Sequence, residues 1–211
     1  MRSQIHGVGS KISQYRRFLV DMPALFHRYA HHVTIPPADA VIPPRAERAP
    51  APGEEVHSHY RWCYGCGIDH ASGLHLQIFA GEGLTVNARF IATDDHQGAP
   101  GIAHGGLLSC ALDEVLGSLN WLIGVRAVTA RLECDFRRPV PIGTELVMSG
   151  HVAGVHGRKV YLAGEARLGD EGPVAVTATA IFVQVPLEHF TTYGDAEKVA
   201  EAIAERASVS P

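Results

Sequence analysis

One apolar segment near the middle of the chain, residues 104–122, most constrains how this protein can fold. Its apolar side chains recur at helical spacings and cover most of the circumference of a helix: Leu107, Leu108, Cys110, Ala111, Val115, Leu116, Leu119 and Leu122. A helix that is apolar nearly all round is buried. We therefore predict a long interior helix from about His104 to Leu122.

Segments typical of strands flank this helix on both sides. Two precede it and four follow it: Leu74–Phe79, Leu84–Ile91, Ala127–Phe136, Thr144–Val155, Lys159–Leu168 and Val174–Val185. In the third segment Val128, Ala130, Leu132, Cys134 and Phe136 alternate onto one face. The pattern predicts an α+β fold in which a curved antiparallel sheet wraps around the helix. Because a single sheet leaves edges and an open side, we expect a dimer or a dimer of dimers.

The remaining sequence divides into two extensions. Residues 1–53 are predicted to hold an amphipathic helix, with its apolar stripe from Ile12 to Tyr29, and an extended linker that contains six prolines between Ile35 and Pro52. The strands and the interior helix then form a domain at 54–190. The tail, 191–211, is expected to be helical around Ala196–Ala207.

Composition and hydropathy give no support for several partners and compartments. The formal net charge of −4 gives no reason to expect nucleic acid, whose binders carry basic surface excess. No apolar run approaches the roughly 20 residues needed to span a membrane. The four cysteines do not form the framework of a disulfide-rich domain, so we expect a reducing compartment, the cytoplasm. The acid-poor N-terminal segment loosely resembles an organelle transit peptide, but a cytoplasmic helix is the preferred interpretation.

Asp113 is the first candidate for chemistry, because it lies inside the interior helix. An unpaired carboxylate costs several kcal/mol when it is fully desolvated, and aspartate is a poor residue for a helix interior. Its neighbour Glu114 points about 100° away around the helix and is expected to face solvent or an ion-pair partner.

A second candidate, His104-Gly105-Gly106, stands at the start of the same helix. Paired glycines allow close approach of a ligand, and the first helical turn offers unsatisfied N–H groups to a carbonyl that develops negative charge. Gly105 and Asp113 are separated by about 12 Å of helix rise. They can therefore act on one carbonyl if the substrate lies between them or if a partner chain contributes one of them.

From Gly98 to Val185 the sequence resembles the hotdog-fold acyl-CoA thioesterases of the phenylacetate-pathway type, and within them the group of thioesterase superfamily member 4. The resemblance is carried by five segments in consistent order: PGIAHGGLLSCALDEVLG (100–117), VTARL (128–132), FRRPVPIG (136–143), GRKVY (157–161) and AVTATAIFV (175–183). A cysteine-rich header, CYGCGIDHASGLHL (63–76), looks like one found in some bacterial members.

The resemblance implies hydrolysis of a fatty or aryl acyl-CoA to free acid and coenzyme A, without a cofactor. It makes Asp113 the general base or nucleophile, Gly105 the carbonyl donor, His104 a support for the loop and Thr129 the group that orients water. It further makes Gly106 and Gln97 candidate substrate contacts, and Arg137, Arg138, Arg158 and Lys159 candidates for the phosphates of coenzyme A. Exposed basic side chains on a strand face would look the same.

Two positions depart from the family pattern. Many relatives carry Asn six residues before the histidine, where this chain has Gly98, with Gln97 beside it. Thr129 shares its strand parity with Arg131 and Glu133, opposite the apolar face, so a bulge or a subunit interface is needed to bring it to the site.

Cys63 and Cys66 with four nearby histidines, His57, His59, His70 and His75, suggest zinc, but a second ligand pair at recognised spacing is missing. A turn with structural thiols is therefore preferred, and no metal is predicted. Two other functions stay open: an acyl-CoA sensor without turnover, and a hydratase or dehydratase on the same fold. The buried acid at position 113 favours the enzyme over the sensor.

Overall fold

The computed structural model describes residues 34–209, so the predicted N-terminal helix lies outside the described residues. Within this range there are eight strands: β1 (Ile78–Ala80), β2 (Thr85–Ile91), β3 (Gln97–Ala99), β4 (Ile102–Ala103), β5 (Ala127–Phe136), β6 (Glu145–His156), β7 (Lys159–Leu168) and β8 (Val174–Gln184). The same residues form three α-helices: α1 (Gly105–Leu122), α2 (Leu187–Tyr193) and α3 (Ala196–Val209). Among these residues, no helix is both long and apolar enough to cross a membrane.

Six strands form one antiparallel sheet in the order β1-β2-β6-β7-β8-β5, and α1 packs across one face of it. Leu112, Val115, Leu116 and Leu119 of α1 are completely buried against the sheet. The predicted α+β hotdog fold, a curved antiparallel sheet around one long helix, is confirmed.

Two glycines paired across the sheet allow the helix to lie this close. Gly150 of β6 is directly opposite Gly164 of β7. A Cβ atom at Gly150 would lie 3.2 Å from Leu116, and one at Gly164 would lie 3.1 Å from Leu116 and 2.5 Å from the Ser149 carbonyl oxygen. Side chains here would push α1 away from the sheet.

The helix is less uniformly buried than its sequence predicts. One stripe along α1 is only partly covered by residues 34–209, and it consists of Gly106, Cys110, Asp113, Gly117 and Trp121. These residues recur every three or four positions, so they share one side of the helix. The same side carries the candidate acid.

Some boundaries differ from those predicted. β1 begins at Ile78 and not at Leu74, because His75 takes a left-handed conformation (φ 49°) that interrupts an extended strand. The segment 93–103, to which the sequence pattern assigned neither strand nor helix, contains a 3₁₀ turn (Asp94–His96) and the β3–β4 ribbon. The helix α2 was not predicted, whereas α3 begins where the sequence pattern places it.

The proline-rich segment contains turns at 38–39 and 47–48 and lies on the domain as a strap. Val41 pairs with Val155 of β6, and the Ala46 N–H donates to the Leu122 carbonyl at 2.8 Å. Arg45 donates to the carbonyls of Gly81 and Gly83 in the turn between β1 and β2. Thr34 is buried and donates to the Glu133 carboxylate at 2.8 Å.

Gly164 in the sheet and Gly117 in α1 have different surroundings, so replacement by alanine should have opposite effects at the two positions. We expect Gly164→Ala to lower the free energy of unfolding by about 1–3 kcal/mol, because the new methyl group meets backbone. Gly117→Ala should leave it unchanged or raise it by up to about 1 kcal/mol, because its Cβ would be in ordinary contact with Phe182 (3.4 Å) and alanine favours helix. Urea unfolding of both variants tests this, and equal losses would contradict it.

His104 provides the N-cap of α1, since its Nδ1 accepts a hydrogen bond from the Gly106 N–H at 2.9 Å. His104→Ala should therefore cost about 0.5–2 kcal/mol of unfolding free energy. His104→Asn is the matched control, because asparagine caps helices well and should retain most of it. If both variants unfold at the same urea concentration, capping is not what His104 contributes.

Candidate active site

Asp113 and Thr129 lie together in the folded chain. The Thr129 hydroxyl donates to Asp113 Oδ1 at 2.9 Å, from strand β5 to helix α1. Asp113 is half-buried, and this burial raises the pKa of its carboxyl, while the hydrogen bond from Thr129 opposes the shift. The carboxyl that the sequence pattern left without a partner therefore has one, and its Oδ2 is left for other groups.

A β-bulge explains how Thr129 faces the helix. Thr129 pairs with Phe182, but the next pair along β8 joins Ile181 to Arg131, so Ala130 is an extra residue. The bulge resets the alternation of side chains along β5. Leu132 and Cys134 still pack on the core as predicted, but the clean alternation predicted back to Val128 is wrong, because Ala127 takes the core-facing place.

The beginning of α1 presents one free backbone donor. The Gly106 N–H donates to the His104 side chain, and those of Leu107 and Leu108 donate to the His104 carbonyl. Within residues 34–209 the Gly105 N–H has no acceptor. Of the two glycines predicted to contact substrate, Gly105 therefore keeps its donor for a ligand and Gly106 does not.

The loop before His104 is held by Gln97, which was predicted as a substrate contact. Its side-chain amide donates to the Asp94 carbonyl at 3.1 Å and accepts from the Gly101 N–H at 2.7 Å. Gly98 lies directly against His104, where a Cβ atom would be 2.8 Å from the His104 Cα. An asparagine at position 98 does not fit this arrangement of the loop.

The four candidate phosphate ligands fall into two pairs at opposite ends of the sheet. Arg137 donates its backbone N–H to Ala175, whereas the carbonyl of Arg158 accepts from Gln184. Ala175 and Gln184 are nine residues apart on β8, which corresponds to about 30 Å of strand. Arg138 lies beside Arg137, and Lys159 beside Arg158. One chain therefore does not bring all four cations together.

Two cavities separate the candidate groups in the same way. A cavity of about 810 Å³ lies between α1, the start of β5, the helices α2 and α3, and residues 56–66, and it is lined by Asp113 and Thr129. A smaller one of about 320 Å³ is lined by Gly105, Phe136, Arg137 and Arg138. Asp113 and Gly105 thus open to different spaces of one chain.

The larger cavity also contains a group in which three residues considered above for zinc, His59, Cys63 and Cys66, lie beside Glu114. Ligand atoms of His59, Cys63, Cys66 and Glu114 all lie within 4.8 Å of one another. Glu114 was expected to face solvent or an ion-pair partner, and it has such a partner in His59, whose Nδ1 lies 3.7 Å from Glu114 Oε1. Its side chain is only 17% exposed, and burial raises the pKa of its carboxyl to about 7. The cysteine spacing and the nearby histidines indicated three of these residues, whereas no sequence signal placed Glu114 beside them.

Comparison with known proteins agrees with the fold and with the motifs. Residues 100–175 match the model of the thioesterase superfamily. The chain is 34% identical over 96 residues to acyl-coenzyme A thioesterase THEM4 of Bos taurus, covering 46% of this chain and 39% of that protein. It is 32% identical over 92 residues to THEM5 of Mus musculus, covering 44% and 37%. The chain therefore spans less than half the length of these relatives.

Among solved structures, that of a thioesterase superfamily protein superposes with a TM-score of 0.56 at 24% identity, and the match covers 86% of this chain and 82% of that one. At this identity the likeness establishes the shared fold. Taken with the match over residues 100–175, it agrees with the resemblance inferred from the motifs: the chain has the hotdog fold and is similar to the thioesterase superfamily over that segment.

Proposed function

We propose that this protein is an acyl-CoA thioesterase that hydrolyses a fatty or aryl acyl-CoA to free acid and coenzyme A. The observation that carries the proposal is the half-buried carboxyl of Asp113, held by Thr129 at the wall of a large and mainly apolar cavity. The matched relatives, both named as acyl-coenzyme A thioesterases, support it. A ligand-binding sensor has no need for a buried acid at this place.

The chemistry follows from the positions of three groups. The Gly105 N–H, at the positive end of the α1 dipole, polarises the thioester carbonyl and stabilises the oxyanion that develops on it. Asp113 takes a proton from water while the water oxygen bonds to the carbonyl carbon. The C–S bond then breaks, and the thiolate of coenzyme A leaves and recovers the proton. Thr129 fixes the carboxyl that performs this transfer.

Attack by Asp113 itself is the other route. An acyl-Asp113 anhydride would form with release of coenzyme A, and water would then hydrolyse it. The hydrogen bond from Thr129 to Oδ1 suits both routes, because Oδ2 can accept a proton or attack a carbonyl. Single turnover in ¹⁸O-labelled water separates them, since only the anhydride route can place label in the Asp113 carboxyl.

The separation of the cavities supports a site shared between two copies of this chain. Gly105 and Asp113 lie about 12 Å apart along α1 and open to different cavities. The partly covered stripe of α1 and the edge strand β5 lie next to both, and Phe136 at the end of β5 is 53% exposed. A second copy seated on this side would cover the edge and bring one chain's Gly105 towards the other's Asp113.

Substrate parts are assigned to the cavities by their chemistry. Arg137 and Arg138 beside Gly105 suit the phosphates of coenzyme A, since guanidinium groups match phosphate geometry. The larger cavity, walled by α2 and α3, suits the acyl chain. Arg158 and Lys159 remain candidates for phosphate contact from the opposite end of the sheet.

The four free thiols agree with a cytoplasmic, reducing compartment, and we assign the reaction to fatty acid metabolism.

Asp113→Asn should lower kcat for acyl-CoA hydrolysis on the order of 100-fold to 10,000-fold, because the amide cannot accept the proton. The measurement is release of free thiol from short, long and aryl acyl-CoA substrates. Asp95→Asn, an exposed acid in the 3₁₀ turn, is the matched control and should retain wild-type rates. If the wild type binds acyl-CoA without releasing thiol from any substrate, the sensor or the hydratase replaces the thioesterase.

Gly105→Pro removes the proposed carbonyl donor with little disturbance to the helix. Proline is favoured at the first helical position, and His104 already has the extended conformation (φ −70°, ψ 129°) that a residue before proline prefers. We expect kcat to fall by about 100-fold to 1,000-fold, with Gly105→Ala, which keeps the N–H, close to wild type. Equal activity of the two variants would rule out this donor.

Mixing the two inactive variants tests the shared site. After denaturation and refolding together, Asp113→Asn and Gly105→Pro chains should recover about a quarter of wild-type activity, because half of the random dimers contain one intact site of two. The same mixing with each variant alone should recover nothing. If co-refolded chains form mixed dimers and remain inactive, both groups act within one chain.

A further inference from the structure

The group formed by His59, Cys63, Cys66 and Glu114 has the geometry of a metal site. Cys63 Sγ lies 3.3 Å from Glu114 Oε2, Cys66 Sγ lies 3.5 Å from His59 Nδ1, and His59 Nδ1 lies 3.7 Å from Glu114 Oε1. In tetrahedral zinc, bond lengths of about 2.0–2.3 Å place neighbouring ligand atoms roughly 3.3–3.8 Å apart. These three separations are close to the edge length of such a tetrahedron, and one ligand atom from each of the four residues lies within 4.8 Å of the other three.

The backbone of the cysteine segment is folded to hold two sulfur ligands on one side. The Gly67 N–H donates to the Cys63 carbonyl at 2.8 Å, which closes a tight turn around Cys66. A Cβ atom at Gly67 would collide with the Arg61 carbonyl and lie 2.5 Å from the Cys63 backbone nitrogen. Glycine at position 67 is therefore required by the turn that presents the thiols.

A second glycine lets the carboxylate approach. A Cβ atom at Gly65 would overlap the carboxyl of Glu114, with its closest carbon contact at 2.7 Å. The absence of a side chain at position 65 thus allows a residue from α1, 51 positions away from Cys63, to reach the cysteine turn. Ser58 adds an outer contact, because its Oγ lies 3.2 Å from Cys66 Sγ.

The charges of the group call for a cation. Two thiols and a carboxylate converge on one imidazole, and Cys66 is buried while the side chain of Glu114 is 17% exposed. Once both thiols have lost their protons, the two thiolates and the largely buried carboxylate repel one another unless a positive charge compensates them. Sulfur, imidazole and carboxylate ligands in a tetrahedron are the set typical of Zn²⁺.

We propose that His59, Cys63, Cys66 and Glu114 bind one structural Zn²⁺ ion. Four protein ligands fill its coordination, which is typical of a structural and not a catalytic site. The ion joins residues 57–66 to α1 at the residue next to Asp113, and so fixes one wall of the larger cavity. The site is independent of the proposed hydrolase activity, because it is defined by its own ligands.

The test is the metal content of tag-free protein purified in a reducing buffer without chelator. Elemental analysis should find about one zinc per wild-type chain, and Cys63→Ser and Glu114→Gln should each lose most of it. Cys134→Ser, which alters a half-buried cysteine outside the group, is the matched control and should keep it. Removing zinc from the wild type with a chelator should lower Tm by at least about 5 °C.

A cobalt spectrum of the wild type keeps the test valid if the variants fail to fold. Co²⁺ exchanged into the site should give the visible bands of tetrahedral cobalt and a sulfur-to-cobalt charge-transfer band. Protein that binds less than about a tenth of an equivalent of zinc after reduction and dialysis against zinc would overturn the proposal. So would an octahedral cobalt spectrum, or zinc retained equally by Cys63→Ser and Cys134→Ser.

Discussion

The packing of α1 against the sheet is the interaction on which the rest of this structure depends. Leucine and valine side chains on one side of the helix fill the concave face of the sheet, and the Gly150–Gly164 pair lets them approach closely. Because this side is fixed, the opposite stripe with Asp113 is fixed as well. A rigid helix therefore sets the position of the acid more firmly than a loop could.

Two consecutive acids on this helix face different surroundings. Asp113 receives the hydroxyl of Thr129 from β5, while Glu114 points to the cysteine turn. Their directions differ by about 100°, as a helix requires. The fold can thus combine a reactive carboxyl with an adjacent carboxyl that anchors the segment closing the cavity. A disturbance at the cysteine turn would reach Asp113 through a single peptide unit.

The motifs of the sequence predicted the α+β fold, the interior helix, most of the strands and the similarity to the thioesterase superfamily. Each of these depends on local periodicity or on contiguous residues. The proximity of Thr129 to Asp113 was predicted from the resemblance alone, against the parity of the strand. The bulge at Ala130 explains how Thr129 can face the helix despite the strand parity, and the local alternation of residue types does not predict that bulge. Gln97 and Gly106 were also predicted from the resemblance, as substrate contacts, but in the folded chain their N–H donors form hydrogen bonds within the protein.

What the sequence by itself determined is the periodic framework: a helix apolar enough to be interior, strands to enclose it, and an acid placed within that helix. The tertiary structure alone decided which distant groups meet. Glu114 reaches Cys63 across 51 residues, and Gly105 and Asp113 open to separate cavities although they share a helix. Contacts between such distant residues depend on the path of the loops and on the space left by glycine, and local patterns of hydrophobicity predict neither.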